Sequence, residues 1–224
     1  MNLRQAMSRF QNTIYARAVR HGLTLAIPFL IMGSFALLLT NFPLGVYQDF
    51  IRTWMNGAAS AILETLYQIS LGSLALVLTV TISISYGHLT ETDQLFLYPI
   101  VAVCSYLAFC GGIENQSDYI FNAEWVFTAM VITLLSCVLF HKILKLGHRF
   151  ERLHTTGADY LFNISIQCLI PVILVSLFFA VTGYVLRVAW DSSNITNFGS
   201  YLFLKLFDKI SGNLFGILLY VVMT

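Results

Sequence analysis

Between Leu23 and Leu39 the chain carries no charged residue, and the polar side chains Thr24 and Ser34 do not form a stripe. An α-helix rises about 1.5 Å per residue, so roughly 20 such residues match a hydrocarbon core about 30 Å thick. The uniformly apolar pattern predicts a transmembrane helix over 22–41. The same pattern returns over 61–86, 94–111, 123–144 and 161–186, and it starts once more at 212–224, where the run stops too short to cross. The expected fold is an all-α membrane protein with five complete transmembrane helices and the start of a sixth. A cleaved signal peptide does not fit the first run, which begins past residue 20, lacks a small-residue cleavage pattern and precedes further spans.

Three other stretches alternate with helical rather than uniform periodicity. In 1–20, Leu3, Met7, Phe10 and Ile14 recur on one face while Arg4, Arg9, Gln11 and Arg20 lie elsewhere; this predicts a helix along the membrane surface. In 44–56, after Pro43, Tyr47, Phe50, Ile51, Trp54 and Met55 oppose Gln48, Asp49 and Arg52. In 200–210, Phe203, Leu206, Phe207 and Ile210 oppose Lys205 and Lys209. Apolar and aromatic residues facing polar ones suit the headgroup boundary.

Composition agrees with the pattern. With 58% hydrophobic residues, 10% charged residues and a mean hydropathy of +0.77, the chain lacks the polar surface of a soluble globule. A net charge of +1 with no basic run excludes nucleic acid as a partner; membrane lipid is the expected one. Cys104, Cys110, Cys137 and Cys168 sit in apolar segments at spacings that fit neither a zinc site nor a disulfide framework.

The placement of charge says more than its total. Arg4, Arg9, Arg17 and Arg20 precede the first span and Lys142, Lys145, Arg149 and Arg152 follow the fourth, so if the helices alternate, eight of the 12 basic residues share one side. Arg52, Arg187, Lys205 and Lys209 fall on the other. The positive-inside tendency then predicts a cytoplasmic N-terminus and a cytoplasmic 142–154 connector. The Asn-x-Ser/Thr triplets at Asn115 and Asn194 would face outward and that at Asn163 would not.

Candidate chemistry is sparse. Thr79, Thr81, Ser83 and Ser85 form a hydroxyl-rich run below Gly72, with Gly72, Thr79 and Ser83 on one face; close helix packing, including packing between copies, is the first reading and a polar pathway the second. Glu64 is expected at the headgroup level, because an acid deeper in the span is costly. His88, Glu91 and Asp93, and His141, His148 and His154, do not complete a metal coordination sphere. No span carries a paired acid and histidine or a nucleophile with a nearby base, so an intramembrane enzyme is the least supported class. No catalytic residue, metal ligand or cofactor is predicted.

Taken in order, several segments resemble the membrane component (EIIC) of sugar phosphotransferase systems, in the lactose, cellobiose and chitobiose branch. They are Ile27-Pro28 to Gly33-Ser34-Phe35, Asn41-Phe42-Pro43, the Gly72 to Tyr86 span, the basic exit Lys142 to Arg152, Leu169-Ile170-Pro171, Leu204-Lys205-Leu206-Phe207 and Gly212-Asn213-Leu214. The likeness covers nearly all of this chain, which would correspond to the N-terminal half of such a permease. It implies a homodimer in the bacterial cytoplasmic membrane that scaffolds sugar uptake and works with phosphocarrier subunits (EIIB/EIIA). In that family the sugar-contacting segments would fall beyond Thr224, so no binding residue transfers to this chain. Relatives usually carry a proline-rich stretch before the fifth span, where this chain reads Thr155-Thr156-Gly157-Ala158-Asp159-Tyr160. An alternative implied by that departure is an EIIC-like sensor or anchor for a signalling enzyme such as a cyclic di-nucleotide phosphodiesterase.

Overall fold

The structure, a computed structural model, describes residues 12–53, 57–92, 94–111, 121–146 and 160–189. Every regular element among them is helical. Helix α1, Ile14–Thr40, starts where the Thr13 hydroxyl accepts the Ala16 amide at 3.4 Å. Of the surface helix expected over 1–20, residues 14–20 form the first turns of α1, because nothing between Arg17 and Leu23 breaks the ladder, and residues 1–11 lie outside the described residues. At about 40 Å, α1 exceeds the hydrocarbon core, so the turns bearing Arg17 and Arg20 extend past it.

The end of α1 is capped by side chains. The Asn41 amide and its Nδ2 both donate to the Leu37 carbonyl at 3.0 Å. Gln48 Nε2 donates to the carbonyls of Thr40 at 2.8 Å and Phe42 at 3.0 Å, and Phe42 meets the Tyr47 ring edge-on. These bonds use carbonyls that the helix end leaves open and turn the chain into the short helix α2, Gly45–Thr53. It falls inside the 44–56 segment expected to be amphipathic.

The second predicted span differs most from expectation. Instead of one helix over 61–86, the chain forms α3, Ala58–Ser70, and α4, Leu74–Leu89, bent by 44° at the break. The cause is local. The Ser70 hydroxyl donates to Leu66 O at 2.6 Å and the Ser73 hydroxyl donates to Ile69 O. The Leu71 amide keeps its helical bond to Tyr67 O, and the Gly72 amide joins it on the same carbonyl, one residue out of register. Hydroxyls and a glycine amide thereby take up carbonyls that a continuous ladder would have used. The amide of Ala75, left open by the restart, donates to Phe121 O at 3.1 Å. Glu64 is exposed, six residues before Ser70 and so about 9 Å nearer the Thr40 end of α1.

Helix α5, Leu97–Cys110, is also shorter than its predicted span, because Gln94–Phe96 form a turn and Gly111, at φ 89°, ends the helix. Its 14 residues reach about 21 Å. A 3₁₀ turn, Ala123–Trp125, leads into α6, Val126–Leu146, and α7 runs Tyr160–Ala189 with Pro171 inside it. The helix runs on through Pro171 without a break. His148, Arg149, Arg152, His154, the 200–210 helix and the 212–224 run lie outside the described residues.

Helix α4 is central: α1, α5 and α6 pack on it, α7 packs on α5 and α6, and α1 also packs on α3. The larger core includes Tyr98, Val101, Tyr106, Phe109, Trp125, Phe140, Val175 and Phe179, and a smaller one joins Ala26 to Leu78 and Ile82. Three helices, α1, α6 and residues 162–188 of α7, are long and apolar enough to cross a membrane, and the bent α3–α4 pair makes a fourth if counted as one span. Ile31 and Phe35 on α1 and Ile173 and Leu177 on α7 are exposed. This much bare apolar surface needs lipid or further protein to cover it. The chain is a membrane protein.

Candidate functional site

Four helices meet at one end through their aromatic residues. Tyr15 of α1 stacks on Tyr86 of α4, with ring centroids 6.4 Å apart. Tyr86 lies 5.9 Å from the Tyr98 ring of α5 and meets the His141 ring of α6 edge-on at 6.4 Å. Tyr98 Oη and His141 Nδ1 are hydrogen-bonded at 2.9 Å. This cluster places the start of α1, the end of α4, the start of α5 and the end of α6 together. The four helices therefore alternate in direction, and Arg17, Arg20, Lys142 and Lys145, all exposed, belong to the same end. Aromatic rings with polar tips suit the level where hydrocarbon gives way to headgroups.

The opposite end is closed by α7. Gly183 packs directly on the Phe109 carbonyl, and Arg187 Nη1 donates to Cys110 O at 2.9 Å. A side chain at Gly111 would collide with that guanidinium.

The hydroxyl run of α4 packs inside the bundle. Thr79 and Ser83 are fully buried and donate back to Ala75 O at 2.9 Å and Val80 O at 2.8 Å. Thr79 and Ser83 are therefore turned into their own bundle, while Gly72 at the break is half-buried. What sequence reasoning missed is the partner of α4. Ala18, Gly22, Ala26, Gly33 and Ala36 of α1 are all buried, and a Cβ on Gly22 would lie 2.7 Å from the Ile82 Cα, while one on Gly33 would overlap Ser70. The Ala18-x₃-Gly22-x₃-Ala26 spacing is the available signal, since small residues four apart let two backbones approach in lipid.

Two open spaces flank α1. A cleft of about 470 Å³ lies between α1 and the end of α4, lined by His21, Thr24, Leu25, Ser85 and His88. A groove of about 660 Å³ runs along the other side, from Tyr15 and Arg20 past Leu23, Ile27 and Leu30, and is bounded across the gap by Leu134 of α6. Of the predicted histidine sets, His88 lines the cleft and Glu91 is exposed beside it at φ 49°, while His141 is bonded to Tyr98. No three His, Cys, Asp or Glu side chains among the described residues come together as a metal site. Cys110, Cys137 and Cys168 are buried free thiols, and Cys104 is an exposed one.

No protein-family model, curated protein or solved structure matches this chain.

Proposed function

We propose that this chain is the N-terminal scaffold of a sugar permease of the phosphotransferase type, an EIIC-like module in the bacterial cytoplasmic membrane with its N-terminus inside. In this reading α1, the broken α3–α4 pair, α5 with its preceding turn, α6 and α7 make five crossings. The module acts as a homodimer with phosphocarrier subunits, and the sugar is contacted by segments beyond Thr224.

The observation that carries the proposal is the close packing of the bundle around a broken helix. Gly22 and Gly33 lock α1 onto α4 and onto the α3–α4 break, and Gly183 locks α7 onto α5. Non-helical backbone at membrane depth is tolerated where protein buries it, and discontinuous helices held by a fixed frame recur in secondary transporters. The alternating helix directions and the basic residues gathered at the Tyr15 end support the orientation.

The test is uptake. The reading frame that encodes this chain is expressed in bacteria lacking their own disaccharide permeases, and phosphoenolpyruvate-dependent accumulation of radiolabelled cellobiose, lactose and chitobiose is measured. Accumulation of one of them is expected. Its absence for all three, with the protein present in the membrane, would turn the reading to a sensor or anchor.

A further inference from the structure

The groove between α1 and α6 joins an apolar floor to a cationic mouth. Its walls are Val19, Leu23, Ile27 and Leu30 on one side and Leu134 on the other, with Arg20 and Tyr15 at the mouth. It exists because α1 and α6 both pack on α4, through Ala26 against Leu78 and Ile82 and through Met130 and Leu134 against the same cluster. Leu23 and Ile27 stay 40% and 46% exposed in consequence.

We propose that this groove binds one anionic phospholipid from the leaflet on the Tyr15 side, its acyl chain along Leu23, Ile27, Leu30 and Leu134 and its phosphate at Arg20. Length is the first argument. Arg20 and Leu30 are ten residues apart on one helix, about 15 Å, which is half of a hydrocarbon core about 30 Å thick. A cation at Arg20 thus stands at headgroup depth when Leu30 stands near the midplane. Charge is the second. Arg17 lies one turn before Arg20, and Lys142 and Lys145 end the helix that Tyr86 ties to the start of α1. Basic side chains around an interhelical groove select anionic headgroups. A second copy, inserted in the same orientation, would bring its own cationic mouth to the same membrane level and be repelled.

The inference rests on the membrane reading alone and stands whether or not the chain serves a permease. It is tested with the full 224-residue chain in a neutral detergent, titrated with phosphatidylglycerol or phosphatidylcholine of identical acyl chains and read by native mass spectrometry. One phosphatidylglycerol per chain is expected, retained about fivefold more tightly than phosphatidylcholine, the increment of one basic side chain at an anionic headgroup. Arg20→Gln should abolish the preference and Arg20→Lys should keep it. Ile27→Trp, which fills the groove, should weaken both lipids, whereas Ile31→Trp, 62% exposed on the same helix outside the groove, should weaken neither. Helical circular dichroism identical to wild type certifies each variant as folded. Equal retention of the two lipids by the wild type, or unchanged binding in folded Ile27→Trp, would overturn the proposal. So would an intermolecular disulfide through Leu23→Cys in a Cys104→Ser background, which would put a second copy in the groove.

Discussion

The Arg187 guanidinium donates from Nη1 to the Cys110 carbonyl at 2.9 Å and occupies the space a side chain at Gly111 would need. One residue thereby caps the carbonyl end of α5 and pins α7 to it, with a positive charge where the helix dipole is negative. Arg187→Met leaves that carbonyl unpaired and should cost about 1 to 3 kcal/mol. Gly111→Ala should destabilise as well, through the positive φ and the collision with the guanidinium. In the double variant the collision is gone, so the two effects should sum to less than their separate values. Thermal unfolding in detergent checks all three.

Gly22 is the contact through which α1 reaches the backbone of α4. A Cβ there would lie 2.6 to 2.9 Å from Ile82 atoms, two of them main-chain, so the helices must separate. Gly22→Leu should destabilise by at least about 1 to 3 kcal/mol. Gly45→Ala, where a Cβ meets nothing within 4 Å, should change stability by no more than about 1 kcal/mol and in the favourable direction. Comparable losses in both would remove the seam from the account of the fold.

The Tyr98–His141 bond is a polar link between α5 and α6 at the aromatic end. Tyr98→Phe keeps the ring in its contacts with Tyr86 and Phe140 and deletes only the hydroxyl. The expected loss is about 0.6 kcal/mol, typical of side-chain hydrogen bonds in bilayers. A double-mutant cycle with His141→Ala should show coupling of that size. Additive losses would mean that the two residues act independently.

Because Tyr15, Tyr86 and His141 gather at one end, Arg17 and Lys145 belong to the same membrane surface and Gly45, beyond the far end of α1, to the other. Single cysteines at 17 and 145, placed in a background with the four native cysteines replaced, should resist a membrane-impermeant maleimide added to intact cells. A cysteine at 45 should react. The reverse pattern would invert the proposed orientation, and labelling of 17 and 145 from opposite sides would contradict the helix packing itself.

Gly72→Leu separates the packing of one chain from the association of two. A Cβ at Gly72 would lie 2.7 Å from the Gln68 carbonyl of its own chain, and Thr79 and Ser83 on that face are fully buried. The substitution should lower the thermal midpoint and leave the monomer-dimer distribution of the remaining folded protein unchanged. Sedimentation in detergent reads the second quantity.

Sequence alone was enough for what depends on one segment and its solvent. The uncharged run of 22–41 demanded an apolar environment, and α1, α6 and α7 are apolar helices of spanning length. The amphipathic pattern of 44–56 likewise foretold α2. What it left undecided depends on neighbours. Apolar periodicity reports that 61–86 is lipid-compatible, yet whether the helix continues through Ser70-Leu71-Gly72-Ser73 depends on a competition between its own carbonyls, two serine hydroxyls and Phe121 O, which lies some fifty residues further on. Similarly, Gly22 and Gly33 look like two more small residues in an apolar run until Ile82 and Ser70 arrive against them. The polar pairings of Tyr98 with His141 and Arg187 with Cys110 join residues 43 and 77 positions apart, beyond the reach of any local pattern. In a membrane the hydrophobic effect selects the helices, but close backbone contact and hydrogen bonding decide how they assemble, and only the tertiary structure contains those.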